Sequence, residues 1–191
     1  MPGQIRIIAG KWRRRRLPVP DAEGLRPTTD RIRETLFNWL QPYLADARCL
    51  DLFAGTGALG FEAASRGAAC VTLVDRDPLA VAGLERNARM LGADGVRIRQ
   101  SDVSDWMRSA ALAGGEPWDV VFVDPPFGRC DLTALLERLE QHRLVHAGSL
   151  VYVESGVDDA RSDPPAGWRV HRERRTRHIR YYLAIPPGGA A

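Results

Sequence analysis

No apolar run in this 191-residue chain nears the roughly 20 residues that cross a bilayer. Its start also lacks the apolar segment of a secretory signal. No membrane association is expected, and a cytoplasmic protein is. Cysteine is scarce. Cys49, Cys70 and Cys130 are scattered and odd in number, which fits neither a disulfide framework nor a zinc spacing. The four histidines, His142, His146, His171 and His178, show no metal-binding pattern, so no metal is expected. Lysine is almost missing. Of 27 basic residues only Lys11 is a lysine. Arginine makes every other cationic contact, and its fork suits bidentate phosphate binding and stacking. No internal repeat is visible.

What is present fits a globular chain. Hydrophobic residues make up 45% and charged residues 27%, and the length allows one domain with a sizeable core. The net charge of +3 is unevenly spread. Met1 to Arg33 holds nine basic and three acidic residues, and Arg161 to Arg180 holds seven and two. The rest of the chain is therefore acidic. Two basic ends on an acidic body suit a polyanionic partner that meets the ends.

Ile5 to Ala9 and Arg15 to Val19 read as short strands around Gly10-Lys11-Trp12-Arg13-Arg14, a basic hairpin. Arg26-Pro27-Thr28-Thr29-Asp30 leads into a helix capped by Asp30. Ile32, Leu36, Trp39 and Leu40 share one face of it, and Pro42 ends it. From Arg48 strands and helices alternate. Strands are expected at Cys49 to Phe53, Cys70 to Asp75, Val96 to Gln100, Val120 to Val123 and Leu150 to Glu154. Helices are expected at Ala58 to Arg66, Pro78 to Leu91 (capped by Asp77), Val103 to Ala113 and Leu132 to His142. Alternation of this kind predicts an α/β fold, a mostly parallel sheet with helices on both faces. Trp168 to Glu173 and Arg177 to Ile185 read as a closing antiparallel hairpin, which makes seven strands. The expected division is a basic extension over 1–42, an α/β domain over 43–185 and a disordered tail over 186–191.

Asp124-Pro125-Pro126-Phe127 follows the apolar run Val120 to Val123. An ionised Asp124 only accepts hydrogen bonds. Pro125 biases Asp124 toward extended geometry, and both prolines stiffen the turn. Phe127 adds a flat face for a base to stack on. Together they suit a planar group that bears an amine. Earlier, Asp51 to Gly60 joins the first strand of the alternating region to its helix, with glycines at 55, 57 and 60. Such a turn lets the backbone approach a ligand closely, and it also fits a dinucleotide site. Asp51 tilts the reading. A pyrophosphate would not welcome its charge, whereas the ammonium of a ligand such as S-adenosylmethionine would. Asp75 lies at the distance from the glycines where a carboxylate takes ribose hydroxyls. Asp102 is placed to accept from an adenine amino group. Each acid falls at or near the carboxyl end of a successive strand, where open α/β sheets bind ligands.

These residues carry a family resemblance. Asp51 to Gly60 resembles motif I of class I S-adenosylmethionine-dependent methyltransferases, and Asp124 to Phe127 resembles their amino-methylating motif. Gly10 to Arg13, Arg26 to Leu40 and Tyr152-Val153-Glu154-Ser155 resemble the bacterial small-subunit ribosomal RNA guanine-N2 methyltransferases, the RsmD type. Arg14 stands where that family often has glycine, and Gly156 where an acid is common. The resemblance implies methyl transfer to the exocyclic N2 of a guanine in 16S rRNA, by a monomer acting within a small subunit or its precursor. It implies that Asp124, Pro125, Pro126 and Phe127 handle the base. It implies that Asp51, Phe53, Ala54, Gly55, Thr56, Gly57, Asp75, Arg76, Asp102 and Val103 hold the cofactor. Lys11, Trp12, Arg13, Arg14, Arg26, Thr28, Arg31 and Arg33 are then expected to grip RNA. Arg172 to Arg180 is a candidate second contact. The residues alone leave alternatives open. These are methylation of adenine N6 or of a protein glutamine, a silent RNA-binding assembly factor, and a nicotinamide-dependent dehydrogenase.

Overall fold

The computed structural model describes residues 3–19 and 29–188. The chain divides into two compact units, Met1–Val103 and Ser104–Ala191.

The first unit opens with a hairpin of β1 (Gln4–Arg6) and β2 (Arg16–Pro18), antiparallel with Ile5 opposite Leu17. Strand alternation turns Ile5 and Leu17 inward and leaves Gln4, Arg6 and Arg16 exposed. Both strands are shorter than expected, because residues 7–15 curl into a loop. The Ile7 N–H donates to Arg15 O, and the Arg14 N–H donates to Ile7 O. Helix α1 (Asp30–Leu40) is capped by Thr29 rather than Asp30: Thr29 Oγ1 accepts the Ile32 N–H at 3.4 Å. Its buried face is Ile32, Arg33, Leu36, Phe37 and Leu40. Phe37 fills the place expected for Trp39, which is half-buried.

β3 (Arg48–Asp51), β4 (Cys70–Asp75) and β5 (Val96–Gln100) run parallel, with β4 between the other two. β3 stops at Asp51, two residues before its expected end, because the chain already turns at Leu52. α2 (Ala58–Ser65) follows β3, and α3 (Pro78–Leu91) follows β4. α3 keeps its expected bounds. Asp77 Oδ1 accepts the Leu79 N–H at 2.8 Å, Pro78 starts the helix, and Gly92 ends it at φ 60°. α2 is buried on nearly every side. A Cβ on Gly60 would lie 2.1 Å from Leu73 Cδ2, so this glycine is where helix and strand touch.

α4 (Val103–Ala113) leads into the second unit. There β6 (Trp118–Val123) and β7 (Val145–Gly156) run parallel, joined through α5 (Leu132–Gln141). Val120, Val121, Phe122 and Val123 are fully buried, each worth about 1.5–3 kcal/mol relative to exposure. β7 exceeds its expected span at both ends. At the leading end Ser149 Oγ accepts the His146 N–H at 2.8 Å and donates to Trp118 O at 2.6 Å. That carries the strand through a stretch too polar to read as one. β8 (Arg169–Arg175) and β9 (Ile179–Ile185) form the C-terminal antiparallel hairpin, and β9 also pairs antiparallel with β7. Pro186 is buried, and 189–191 of the expected tail lie outside the described residues. Within the first unit the strand order is β5-β4-β3, and within the second it is β6-β7-β9-β8. This is the expected α/β class, mostly parallel with one antiparallel hairpin. No helix among the described residues is long and apolar enough to cross a membrane.

Candidate active site and nucleic-acid interface

In the first unit, parallel strands β3 and β4 end on acids and β5 is followed by one. Asp51 closes β3, Asp75 closes β4, and Asp102 follows β5. The turn after β3 is built by two glycines in the left-handed region, Gly55 at φ 47° and Gly57 at φ 79°. The Gly57 N–H donates to Ala54 O at 2.6 Å, and the Ala54 N–H donates to Val74 O at 2.9 Å. A Cβ on Gly57 would come 2.5 Å from the Phe61 ring. Asp75 reaches into this turn. Its Oδ2 accepts the Gly55 N–H at 2.7 Å, and its Oδ1 accepts the Asp77 N–H at 2.9 Å. Each oxygen keeps a second lone pair, so the carboxylate can still take ribose hydroxyls.

Asp51 is 1% exposed, and its Oδ1 has no hydrogen-bond partner among the described residues. Burial pushes its pKa from 3.8 up to about 7, and the nearby charge of Asp75 adds to this. Backbone N–H groups of Phe53 and Gly60 pull partly the other way. A cation beside a buried carboxyl of this kind would favour its ionised form. Phe53 is half-buried, Ala54 and Thr56 are buried, and Arg76 and Asp102 are exposed beside the half-buried Val103.

In the second unit Asp124 directly follows β6, half-buried, with Pro125 buried behind it. The chain then turns back: the Arg129 N–H donates to Pro126 O at 3.2 Å, with Gly128 at φ 71°. Phe127 rides on this turn with 43% of its surface exposed, which leaves its ring accessible. On neighbouring β7, fully buried Tyr152 donates to Glu154 Oε2 at 2.6 Å. Burial pushes the Tyr152 hydroxyl well above its ordinary pKa, and the charges of Glu154 and Asp124 raise it further.

The basic residues divide sharply. Lys11, Arg13, Arg14 and Arg31 are exposed. Arg26 and Thr28 lie outside the described residues. Two expected RNA contacts are corrected. Trp12 is only 7% exposed, so its ring belongs to the packing and cannot stack on a base. Arg33 is 1% exposed; it donates to Asp30 Oδ1 at 2.6 Å and to Arg6 O at 3.0 Å, which ties α1 to β1. At the other basic end, Arg180 is 8% exposed and held by Glu173 and Asp163 over the Tyr182 ring. It is a structural residue too. Arg172, Arg174 and Arg175 on β8 remain exposed.

The sequence reading missed Glu62, a fully buried acid in α2. Its signal was there: one acid inside the apolar stretch Ala58 to Ala64. No group of three or more His, Cys, Asp or Glu among the described residues is placed to hold a metal ion.

A glycine turn between acid-ended parallel strands, in a sheet closed by an antiparallel hairpin, is the architecture of the class I methyltransferases. Known relatives narrow the class. The family model described as Conserved hypothetical protein 95 matches residues 5–185, and the chain belongs to that family. Ribosomal RNA small subunit methyltransferase D of Escherichia coli is 48% identical over 181 residues, covering 95% of this chain and 89% of that protein. The protein of the same name from Haemophilus influenzae is 40% identical over 185 residues, with 95% and 93% covered. A solved Escherichia coli structure, yhhF, described as a candidate methyltransferase, has a TM-score of 0.88 at 46% identity, covering 97% of this chain and 99% of that one.

Proposed function

We propose that this chain is a ribosomal RNA methyltransferase that uses S-adenosylmethionine to methylate the exocyclic N2 of a guanine in 16S rRNA. The observation that carries the reading is the 48% and 40% identity, over 95% of this chain, to proteins named ribosomal RNA small subunit methyltransferase D. When bound, S-adenosylmethionine supplies a methyl group on a positively charged sulfur that leaves as a neutral thioether, so the reading includes no metal. The residues present fit that group. Asp51 is a buried acceptor lacking a cation, and Asp75 offers a carboxylate beside the glycine turn.

Asp124 and the Pro125 carbonyl accept hydrogen bonds from the two N–H groups of the guanine amino group, and the nitrogen gives up one of these protons to solvent as the N–C bond forms. Accepting both favours a pyramidal nitrogen whose lone pair is less delocalised into the ring. The stiff turn fixes their direction, and positioning supplies most of the rate. Phe127 stacks on the base after it leaves its own stack. The exposed arginines of the N-terminal extension bind RNA phosphates. The enzyme works in the cytoplasm, as a monomer, on a small subunit or its precursor. Small subunits and protein-free 16S rRNA from a strain lacking this protein test the reading. Incubation with enzyme and S-adenosylmethionine should yield N2-methylguanosine at one position, mapped by mass spectrometry. Methyladenosine, or no methylated nucleoside, would refute it.

A further inference from the structure

Beside the N-terminal hairpin lies a groove that the catalytic reading leaves unused. Its volume is about 510 Å³, and it is lined by residues 8–10 of the hairpin loop, Arg13, Glu34, Asn38 and Arg66. Turn bonds close the loop on itself (Arg13 N–H to Gly10 O at 3.1 Å, Arg15 N–H to Trp12 O at 3.0 Å), and a second element fixes where it lies. α2 does this. Glu62, fully buried, accepts the Ile8 N–H at 2.7 Å and the Ala9 N–H at 3.0 Å. Its charge is met by Arg66 Nε at 2.7 Å. Ser65 O accepts the Lys11 N–H at 2.7 Å. Ser65 Oγ accepts the Trp12 N–H at 2.9 Å and donates to Ala9 O at 2.6 Å. Arg66 extends the clamp to Gln41 Oε1 at 2.9 Å and lies over the Phe37 ring. Gly10, at φ 81°, rests so close to α2 that a Cβ would lie 1.8 Å from Ser65 O.

One wall is therefore preformed by charge-assisted bonds to a buried carboxylate, which would be costly to leave unpaired. The other wall is α1. Glu34 and Asn38 are four residues apart and exposed, so they share one helix face. Asn38 offers a donor and an acceptor, and Glu34 offers acceptors alone. That set reads the edge of a base that bears an amino group. Arg13 across the groove suits a phosphate. Glu34 repels a phosphate from the α1 side, so the pair sets an orientation.

We propose that this groove is an RNA subsite for one unstacked nucleotide other than the target guanine. Arg13 takes its phosphate, Asn38 and Glu34 take its base edge, and Glu62 and Ser65 are positioning residues that hold the loop. The proposal rests on the reading that RNA is the substrate. The test uses whichever of the small subunit and protein-free 16S rRNA the wild type methylates. Asn38→Ala should raise KM about fivefold, the effect of losing one ordinary hydrogen bond, and Arg13→Ala about tenfold or more, the effect of losing one to a charged phosphate. The kcat and the Kd for S-adenosylmethionine should stay near the wild-type values. Glu62→Gln sets an amide N–H against a backbone N–H and should raise KM similarly. Combined with Asn38→Ala it should cost less than the product of the two, because both act on one groove. If Glu62→Gln fails to fold, Gly10→Ala displaces the loop alone and should give the same KM effect. A photoreactive phenylalanine at position 38 should crosslink to rRNA. Unchanged KM in both Arg13→Ala and Asn38→Ala, or a crosslink to a ribosomal protein, overturns the proposal. A wild type that methylates neither substrate overturns the functional reading first.

Discussion

Asp75 Oδ2 accepts the Gly55 N–H at 2.7 Å, so the acid that ends β4 shapes the glycine turn that follows β3. The other oxygen holds the Asp77 N–H at the start of α3. One carboxylate thus sets two backbone segments at once. An Asp75→Asn side chain has one acceptor oxygen and would turn its NH2 toward the second backbone donor. Cofactor affinity should fall about tenfold or more, the scale of one hydrogen bond to a charged group. Calorimetric titration with S-adenosylhomocysteine reads this directly, and full affinity in the variant would remove Asp75 from the site.

Asp51 gives the site a pH dependence of known sign. Its folded-state pKa, about 7, lies above the ordinary 3.8. Between those values the folded chain keeps a proton that the unfolded chain releases. This group's contribution to stability therefore declines as pH rises from about 4 to about 7 and stays low above that. A bound ammonium reverses the balance by favouring the ionised carboxylate. Cofactor affinity should rise with pH through about 7, with proton release on binding. Asp51→Asn should melt higher than wild type at pH 8 and bind the cofactor weakly at every pH. Melting curves and titrations in two buffers of different ionisation enthalpy check both halves.

The parts legible in the sequence are those written in local chemistry. α3 announced itself through Asp77 and Pro78, and β4 and β6 through apolar runs. The turn at Gly55 and Gly57 was legible because left-handed backbone demands glycine. What escaped depends on partners distant in sequence. Arg33 looks like Arg31 until Arg6 O and Asp30 are beside it. Trp12 sits among arginines, yet its backbone N–H is bound to Ser65, 53 residues away, and its ring is buried. The leading end of β7 depends on Ser149, whose hydroxyl bridges His146 and Trp118 in place of an apolar run.

Asp124→Ala should separate binding from chemistry. The side chain directly follows β6 and contributes nothing to the turn after β3 in the proposed division of labour. Cofactor affinity should remain within about twofold, while kcat falls about 100-fold or more, the range for a misplaced reacting group. Single-turnover methylation of small subunits distinguishes this from slow product release. A variant that turns over like the wild type would take Asp124 out of the mechanism.

Arg14 holds φ 68°, a conformation in which a side chain crowds its own backbone. Arg14→Gly should raise stability by up to about 1 kcal/mol, the strain relieved, less the greater freedom glycine gives the unfolded chain. The same change removes an exposed cation from the hairpin. Thermal melts should therefore improve while RNA affinity weakens and its salt dependence flattens. A melt unchanged or lower would show that the turn tolerates arginine without strain.

Arg31 and Arg33 give the sharpest contrast, since they are two residues apart on one helix and chemically identical. Arg31 is exposed, so Arg31→Ala should leave the melting temperature within about 1–2 °C. It should weaken RNA binding and lower the slope of log K against log salt by about one unit. Arg33→Ala removes a buried guanidinium and leaves Arg6 O and Asp30 Oδ1 without it, while Asp30 Oδ2 keeps the Arg6 guanidinium at 3.2 Å. Asp30 is half-exposed and recovers water, so the cost is about 1–3 kcal/mol rather than that of a fully buried pair. Its salt slope should match the wild type wherever the protein is folded. A reduced salt slope in Arg33→Ala, with no loss of stability, would mean that α1 turns this face toward RNA when the substrate binds.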